Sequence, residues 1–300
     1  MSLTELLASS PRLFIGTCFV LGLAIGSFLN VVIHRLPLML ERQWREQCLE
    51  LASNPGQATH APDTEPIRFN LMVPRSACPF CKAPIKAWQN VPVVSWLALK
   101  GRCAQCRHPI AARYPLVELL TGVLSASVAW RFGFGQAALA GLLVTWFLVA
   151  LTFIDIDHQL LPDDLTLPLL WLGLAAALWN DSSSLGVPTD LRSGVIGAIA
   201  GYVSLWSVYH LFRLITGKEG MGHGDFKLFS ALGAWLGWQM LIPIILIAAV
   251  SGAIVGIVVL SARGQQRSTP IAFGPFLAVA GWLVMMFGPA LVSSYLGLFK

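Results

Sequence analysis

A chain of 300 residues that is 56% hydrophobic and only 12% charged lacks the polar coat of a water-soluble protein, since ordinary globular chains carry about 25% Asp, Glu, Lys and Arg. A mean hydropathy of +0.69 excludes a soluble enzyme and a disordered chain, and six cysteines are too sparse for a disulfide-built secreted module. The net charge of +5 is not a nucleic-acid footprint, because eleven of the 20 basic residues fall between His34 and Pro115, beside five acids. Such clustering is an orientation signal, as positively charged loops stay in the cytoplasm. Eleven tryptophans suit the aromatic belts of a membrane protein.

A hydrocarbon core of about 30 Å takes about 20 apolar residues of helix. The first such run, 13–33, is read as a retained span because no small-residue cleavage site follows it. A hydrophilic region covers 34–115, with a polar, proline-bearing flexible connector at 52–64. Further apolar runs follow at 116–129, 137–154, 165–179 and 194–214. The stretch 226–260 is too long for one crossing and is split at Trp238-Gln239. A last run, 271–291, makes eight spans. The expected fold is therefore an all-α polytopic membrane protein, with a zinc-binding cytoplasmic insertion between the first two of about eight transmembrane helices. Its expected parts are a first span in 1–36, a cytoplasmic cysteine domain in 37–113 and a transmembrane core in 114–300. If 34–115 is cytoplasmic, so are the 155–164, 215–225 and 261–270 segments, with Lys218, Arg263 and Arg267. The 180–193 loop and both termini then lie on the opposite side.

Within the hydrophilic region, Cys78-Pro-Phe-Cys81 and Cys103-Ala-Gln-Cys106 are separated by 21 residues. Two CxxC turns can close a four-sulfur tetrahedral zinc site that holds a fold and leaves no open position. The gap slightly exceeds the about 15–20 residues usual for such ribbons. Arg75, Lys82, Lys86, Arg102 and Arg107 would favour thiolates. Disulfides or four unrelated thiols are the alternatives, and a reducing cytoplasm disfavours the first. Cys18, inside the first span, reads as a small apolar residue.

Only nine acids lie beyond residue 115, so their grouping is informative. Asp155, Asp157, Asp163 and Asp164 cluster where the third span meets the cytoplasm, and Asp225 ends Gly220-Met-Gly222-His223-Gly224 at the start of the sixth. Ionisable residues at a span boundary are functional candidates by default. Two carboxylates held together share a proton. One can then activate a water while the other polarises a peptide carbonyl, as in aspartic proteases. Asp163 and Asp164 also read as capping residues of the fourth span, and Asp157 as a solvated acid. His158 and His223 read as loop residues or helpers. Glu118 is a further acid inside the second span with no partner visible in the sequence.

Gly26-Ser-Phe-Leu-Asn30-Val-Val-Ile-His34-Arg35-Leu-Pro37, the two CxxC pairs, Arg113-Tyr114-Pro115-Leu-Val-Glu118, the Asp155–Asp163 segment and Gly222-His-Gly-Asp225 follow one another in an order that resembles the type IV prepilin peptidases. The resemblance runs from the first span to the last. It implies a bifunctional enzyme of the bacterial inner membrane that cuts the leader from type IV prepilins and type II secretion pseudopilins after a glycine, on the cytoplasmic side. The new amino terminus is then methylated with S-adenosylmethionine. It further implies Asp155 and Asp225 as the catalytic pair and Cys78, Cys81, Cys103 and Cys106 as metal ligands. Expected partners are these substrates and membrane lipid, with no nucleic acid. No glycine-rich fingerprint for an adenosyl cofactor is present, and no oligomeric state is set. Competing readings are an acid-coupled transporter, which would place acids mid-span, a non-catalytic assembly scaffold, and a presenilin-type intramembrane protease, which shares GxGD but not the cysteine pairs.

Overall fold

A computed structural model describes residues 2–52, 69–180, 187–263 and 272–297. Among these residues the fold is carried by ten α-helices: α1 (Leu3–Ser9), α2 (Pro11–Ala52), α3 (Val94–Ala98), α4 (Arg113–Phe132), α5 (Gln136–His158), α6 (Asp163–Ala177), α7 (Leu191–Thr216), α8 (His223–Leu236), α9 (Leu241–Arg263) and α10 (Gly274–Gly297). No strand forms among them; only two isolated antiparallel bridges occur, Ala77 with Pro84 and Arg102 with Pro109. The connector expected after Ala52, and much of the loops expected at 180–193 and 261–270, lie outside the described residues.

Among the described residues, four helical segments are long and apolar enough to cross a membrane: Pro11–Ala52, Gln136–His158, Leu191–Thr216 and Trp238–Val258. Helices also occupy the other apolar runs, each shorter or more charged than those four. α6 and α8 have 15 and 14 residues, only about 21–23 Å of helix. α4 carries Arg113, Glu118 and Arg131 in its 20 residues, and the apolar part of α10 is Gly274–Gly288. The 226–260 stretch divides at Gly237, whose φ of 85° suits a residue without a Cβ, followed by a 3-10 turn at Trp238–Met240.

α2 does not end with its apolar run but continues through Pro37 to Ala52. Residues 41–50 are mostly Glu, Arg, Gln and Leu, which are good helix formers, and Glu41 with Arg45 and Arg42 with Glu46 have the i,i+4 spacing of favourable pairs.

The chain packs as two compact units, one from residues up to Phe19 and from Leu124 onward, the other from Val20–Val123. In the first, α8 packs against α6, α7, α9 and α10. From Asp225 to Leu236 every residue of α8 except Lys227 is buried, as expected of a helix that is apolar all round. Its closest neighbour is α7, where Gly197 and Gly233 face each other so tightly that a Cβ on either would strike the other's backbone carbonyl. Small residues let two helices approach in this way. The Ser230 hydroxyl donates to the Ala198 carbonyl at 2.7 Å, and the buried Trp235 indole donates to the Leu169 carbonyl of α6 at 2.7 Å. Cys18 lies in the apolar core of this unit.

Because no space exists at this crossing, Gly233→Leu is expected to lower the thermal unfolding temperature of the detergent-solubilised protein, by the about 1–3 kcal/mol typical of overpacking or more. Gly16→Ala, at a position with nothing within 4 Å, should not lower it.

Candidate active site and metal centre

The second unit contains the four cysteines. Their ligand atoms lie within 4.8 Å of one another, and Cys78 Sγ is 3.8 Å from Cys106 Sγ. A zinc–sulfur bond of about 2.3 Å in a tetrahedron puts sulfurs about 3.8 Å apart, so the donor set fits one such ion. Each CxxC sits in the same backbone knuckle. Cys78 N–H donates to Ala83, Lys82 N–H to Cys78 and Ile85 N–H to Ser76; 25 positions on, Cys103 donates to His108, Arg107 to Cys103 and Ile110 to Gly101. Lys82 and Arg107 hold the positive φ values, 58° and 57°, that turn each knuckle. Phe80 of one knuckle stacks on His108 of the other at 4.6 Å. Backbone N–H groups of Cys106 and Gln105 bring the Cys103 thiol down to about 6, and those of Cys81 and Phe80 lower Cys78. Despite the N–H of His108, Cys106 is pushed up to about 11 by desolvation and by the thiols of Cys81, Cys103 and Cys78. Four sulfurs this close cannot all ionise without a cation among them.

The two aspartates meet in the first unit. Asp155 lies on the last turn of α5 and Asp225 on the first turn of α8; each is 5% exposed. Their carboxylates are close enough to interact electrostatically. Asp155 accepts the backbone N–H of Gly274, and Asp225 accepts that of Gly222. Gly274 presses on the acid so closely that a Cβ there would come 2.5 Å from Asp155 Oδ2. Leu161 packs between Gly224 and Gly274 and closes one side of the pair. The arrangement offers two desolvated acids, each with a fixed backbone donor, beside irregular chain.

The remaining sequence candidates take other places. Asp163 and Asp164 lie in the first turn of α6, but the N-cap is Pro162, without a side-chain cap. Asp163 receives Lys227 Nζ at 2.6 and 2.7 Å, so the cation two residues beyond Asp225 is held by another acid. His158 ends α5; His223 begins α8, its ring against Tyr209 and Phe226. Glu118 belongs to the second unit and is 9% exposed.

Sequence reasoning did not single out Gly274 or the repeat of the knuckle beyond its cysteines. The signals were present as Gly274-Pro275 at the head of an apolar run, where proline favours a helix start, and as the shared pattern C-x-x-C-basic-x-Pro-Ile in residues 78–85 and 103–110.

Residues 20–132 match the family described as the bacterial peptidase A24 N-terminal domain, and residues 142–257 match the type IV leader peptidase family. The first match contains the cysteines and the second both aspartates. Among similar proteins named prepilin leader peptidase/N-methyltransferase, that of Stutzerimonas stutzeri is 51% identical over 99% of this chain and 98% of its own. That of Aeromonas salmonicida is 54% identical over 98% of each, and that of Legionella pneumophila 49% over 92% of each. No solved structure matches. The chain belongs to the type IV leader peptidase family.

Proposed function

We propose that this protein is a bifunctional membrane enzyme that removes the leader peptide of type IV prepilins and type II secretion pseudopilins after a glycine and then N-methylates the new amino terminus. The observation that carries this reading is about half identity along nearly the whole chain with relatives named for both activities. Asp155 and Asp225 are its catalytic acids. With one proton between them, the ionised carboxylate takes a proton from water as its oxygen adds to the scissile carbonyl, and the protonated one donates to the carbonyl oxygen. Collapse of the tetrahedral intermediate returns a proton to the departing amine. Burial of both acids and the packing of Leu161 beside them support this exchange.

Cys78, Cys81, Cys103 and Cys106 hold a structural zinc ion, which ties the two knuckles together. S-adenosylmethionine supplies an electrophilic methyl group in the second reaction. Among the described residues there is no strand on which a glycine-rich adenosyl site could be built, so no side chain is assigned to it. On this reading the chain crosses the bacterial inner membrane eight times, with residues 1–36 as the first span, 37–113 as the cytoplasmic zinc domain and 114–300 as the peptidase core. The acids then face the cytoplasm. The clustering of basic residues in 34–115 supports that orientation.

Asp155→Asn and Asp225→Asn should each reduce cleavage of a purified prepilin by about 10²–10⁴-fold or more, the scale of an acid–base group, with the protein still folded. Mass spectrometry of the products checks this; cleavage that survives both substitutions overturns the dyad. Elemental analysis should find one zinc ion per chain. Cys103→Ser should lose it, while an unchanged metal content in that variant would remove the four-sulfur site.

A further inference from the structure

Glu118 takes part in neither chemistry above, yet its carboxylate is buried on the second turn of α4. Its Oε2 accepts the backbone N–H of Val93 at 2.7 Å, and the Ser27 hydroxyl of α2 also bonds to it. Ser27 reaches the acid because Gly26 beside it allows α2 to pass very close: a Cβ on Gly26 would lie 2.7 Å from Glu118 Cα. The held residue is unusual in its own right. Val93 has φ 59° and ψ −48°, a backbone state that a β-branched residue keeps only when its surroundings impose it.

Val93 is the N-cap of α3, and α3 carries Trp96. The Trp96 indole N–H donates to the Ile110 carbonyl at 3.2 Å, and its own carbonyl accepts Gly101 N–H at 2.8 Å. Its ring lies against Gly101, where a Cβ would come 2.8 Å from Trp96 Cζ2. Gly101 and Ile110 are the two ends of the second knuckle, joined at 2.8 Å, with Cys103 and Cys106 between them.

We infer that Glu118 is a positioning residue of the metal centre: it fixes Val93, Val93 sets α3, and Trp96 on α3 braces the knuckle that presents Cys103 and Cys106. This rests on the reading of the four cysteines as a metal site. A carboxylate suits the task because it accepts from an amide and a hydroxyl at once. A glutamine oxygen still accepts the Val93 N–H; a leucine accepts nothing.

The test follows metal release from the full-length protein in detergent into excess chromophoric chelator, alongside the absorption bands of the cobalt(II)-substituted site. Glu118→Leu should release zinc about tenfold faster and alter the cobalt bands, the low end of the about 10–100-fold typical when support around a metal ligand is lost. Glu118→Gln should restore both to near wild type. Prepilin cleavage reports folding of the variants. Should Glu118→Leu not fold, Trp96→Phe decides, since it keeps an aromatic side chain but removes the donor to Ile110 and the indole edge against Gly101, and it should also speed release. A folded, cleaving Glu118→Leu protein with wild-type release and cobalt spectrum, or a Trp96→Phe protein with wild-type release, overturns the inference. Wild-type protein without metal would instead overturn the metal-site reading, and this inference with it.

Discussion

Two carboxylates side by side in an apolar helix bundle are the constraint on which the larger unit depends. Such groups persist at a membrane only with donors on their oxygens and a reason to be there. Here the donors are backbone N–H groups, Gly274 to Asp155 and Gly222 to Asp225. A cationic side chain would have supplied a stronger partner, but it would also have held its acid in the ionised state and ended any exchange of a proton. Lys227, two residues beyond Asp225, is instead bound to Asp163. That ion pair is partly exposed and worth little to stability; its consequence is to join the starts of α6 and α8. The tight glycine crossing of α7 and α8 serves the same end, because a helix buried on every side keeps the carboxylate it carries in one place.

The cysteine-bearing unit solves a different problem. Between residues 69 and 112 its longest helix is the five-residue α3, and Met72, Phe80, Trp88, Val94 and Leu97 are exposed. With so little apolar burial, order comes from two matching knuckles, stacking of Phe80 on His108, and the anchoring of Val93 and Trp96 to helix and knuckle. A four-thiolate metal site is a common device for folding a segment that cannot build a core. The convergence of four sulfurs is consistent with that use.

How much was legible in the sequence depended on whether the signal was local. The CxxC turns, the GxGD approach and the apolar runs each occupy a few consecutive residues or one helical period, and the pairing of Asp155 with Asp225 could be anticipated because both stand at the ends of apolar runs. The number of complete spans was less legible. Hydropathy records that a stretch is apolar and not how many of its residues one helix will take: α6 and α8 have only 15 and 14, and α8 is surrounded by protein. The continuation of α2 past His34 was hidden because polarity marks the end of an apolar run and not the end of a helix. Gly274 and the partner of Glu118 were invisible for another reason: both act through backbone N–H groups brought from distant parts of the chain, and a backbone donor leaves no mark in residue identity.

The shortness of α6 and α8 bears directly on hydrolysis. A 14-residue helix covers about 21 Å against a hydrocarbon core of about 30 Å. The residues before α6, Gln159–Pro162, and before α8, Gly217–Gly222, are not helical, and they approach the same pair of acids. Irregular backbone beside a bilayer is tolerated where it is enclosed by protein or faces water. Peptide hydrolysis needs both conditions together: packing that keeps two carboxylates desolvated, and an opening through which an extended peptide and a water molecule can arrive. Helices that began a full turn earlier would have satisfied the backbone within themselves; instead Leu161 ahead of α6 packs on Gly224 and Gly274, and Gly222, the last of three glycines ahead of α8, gives its N–H to Asp225.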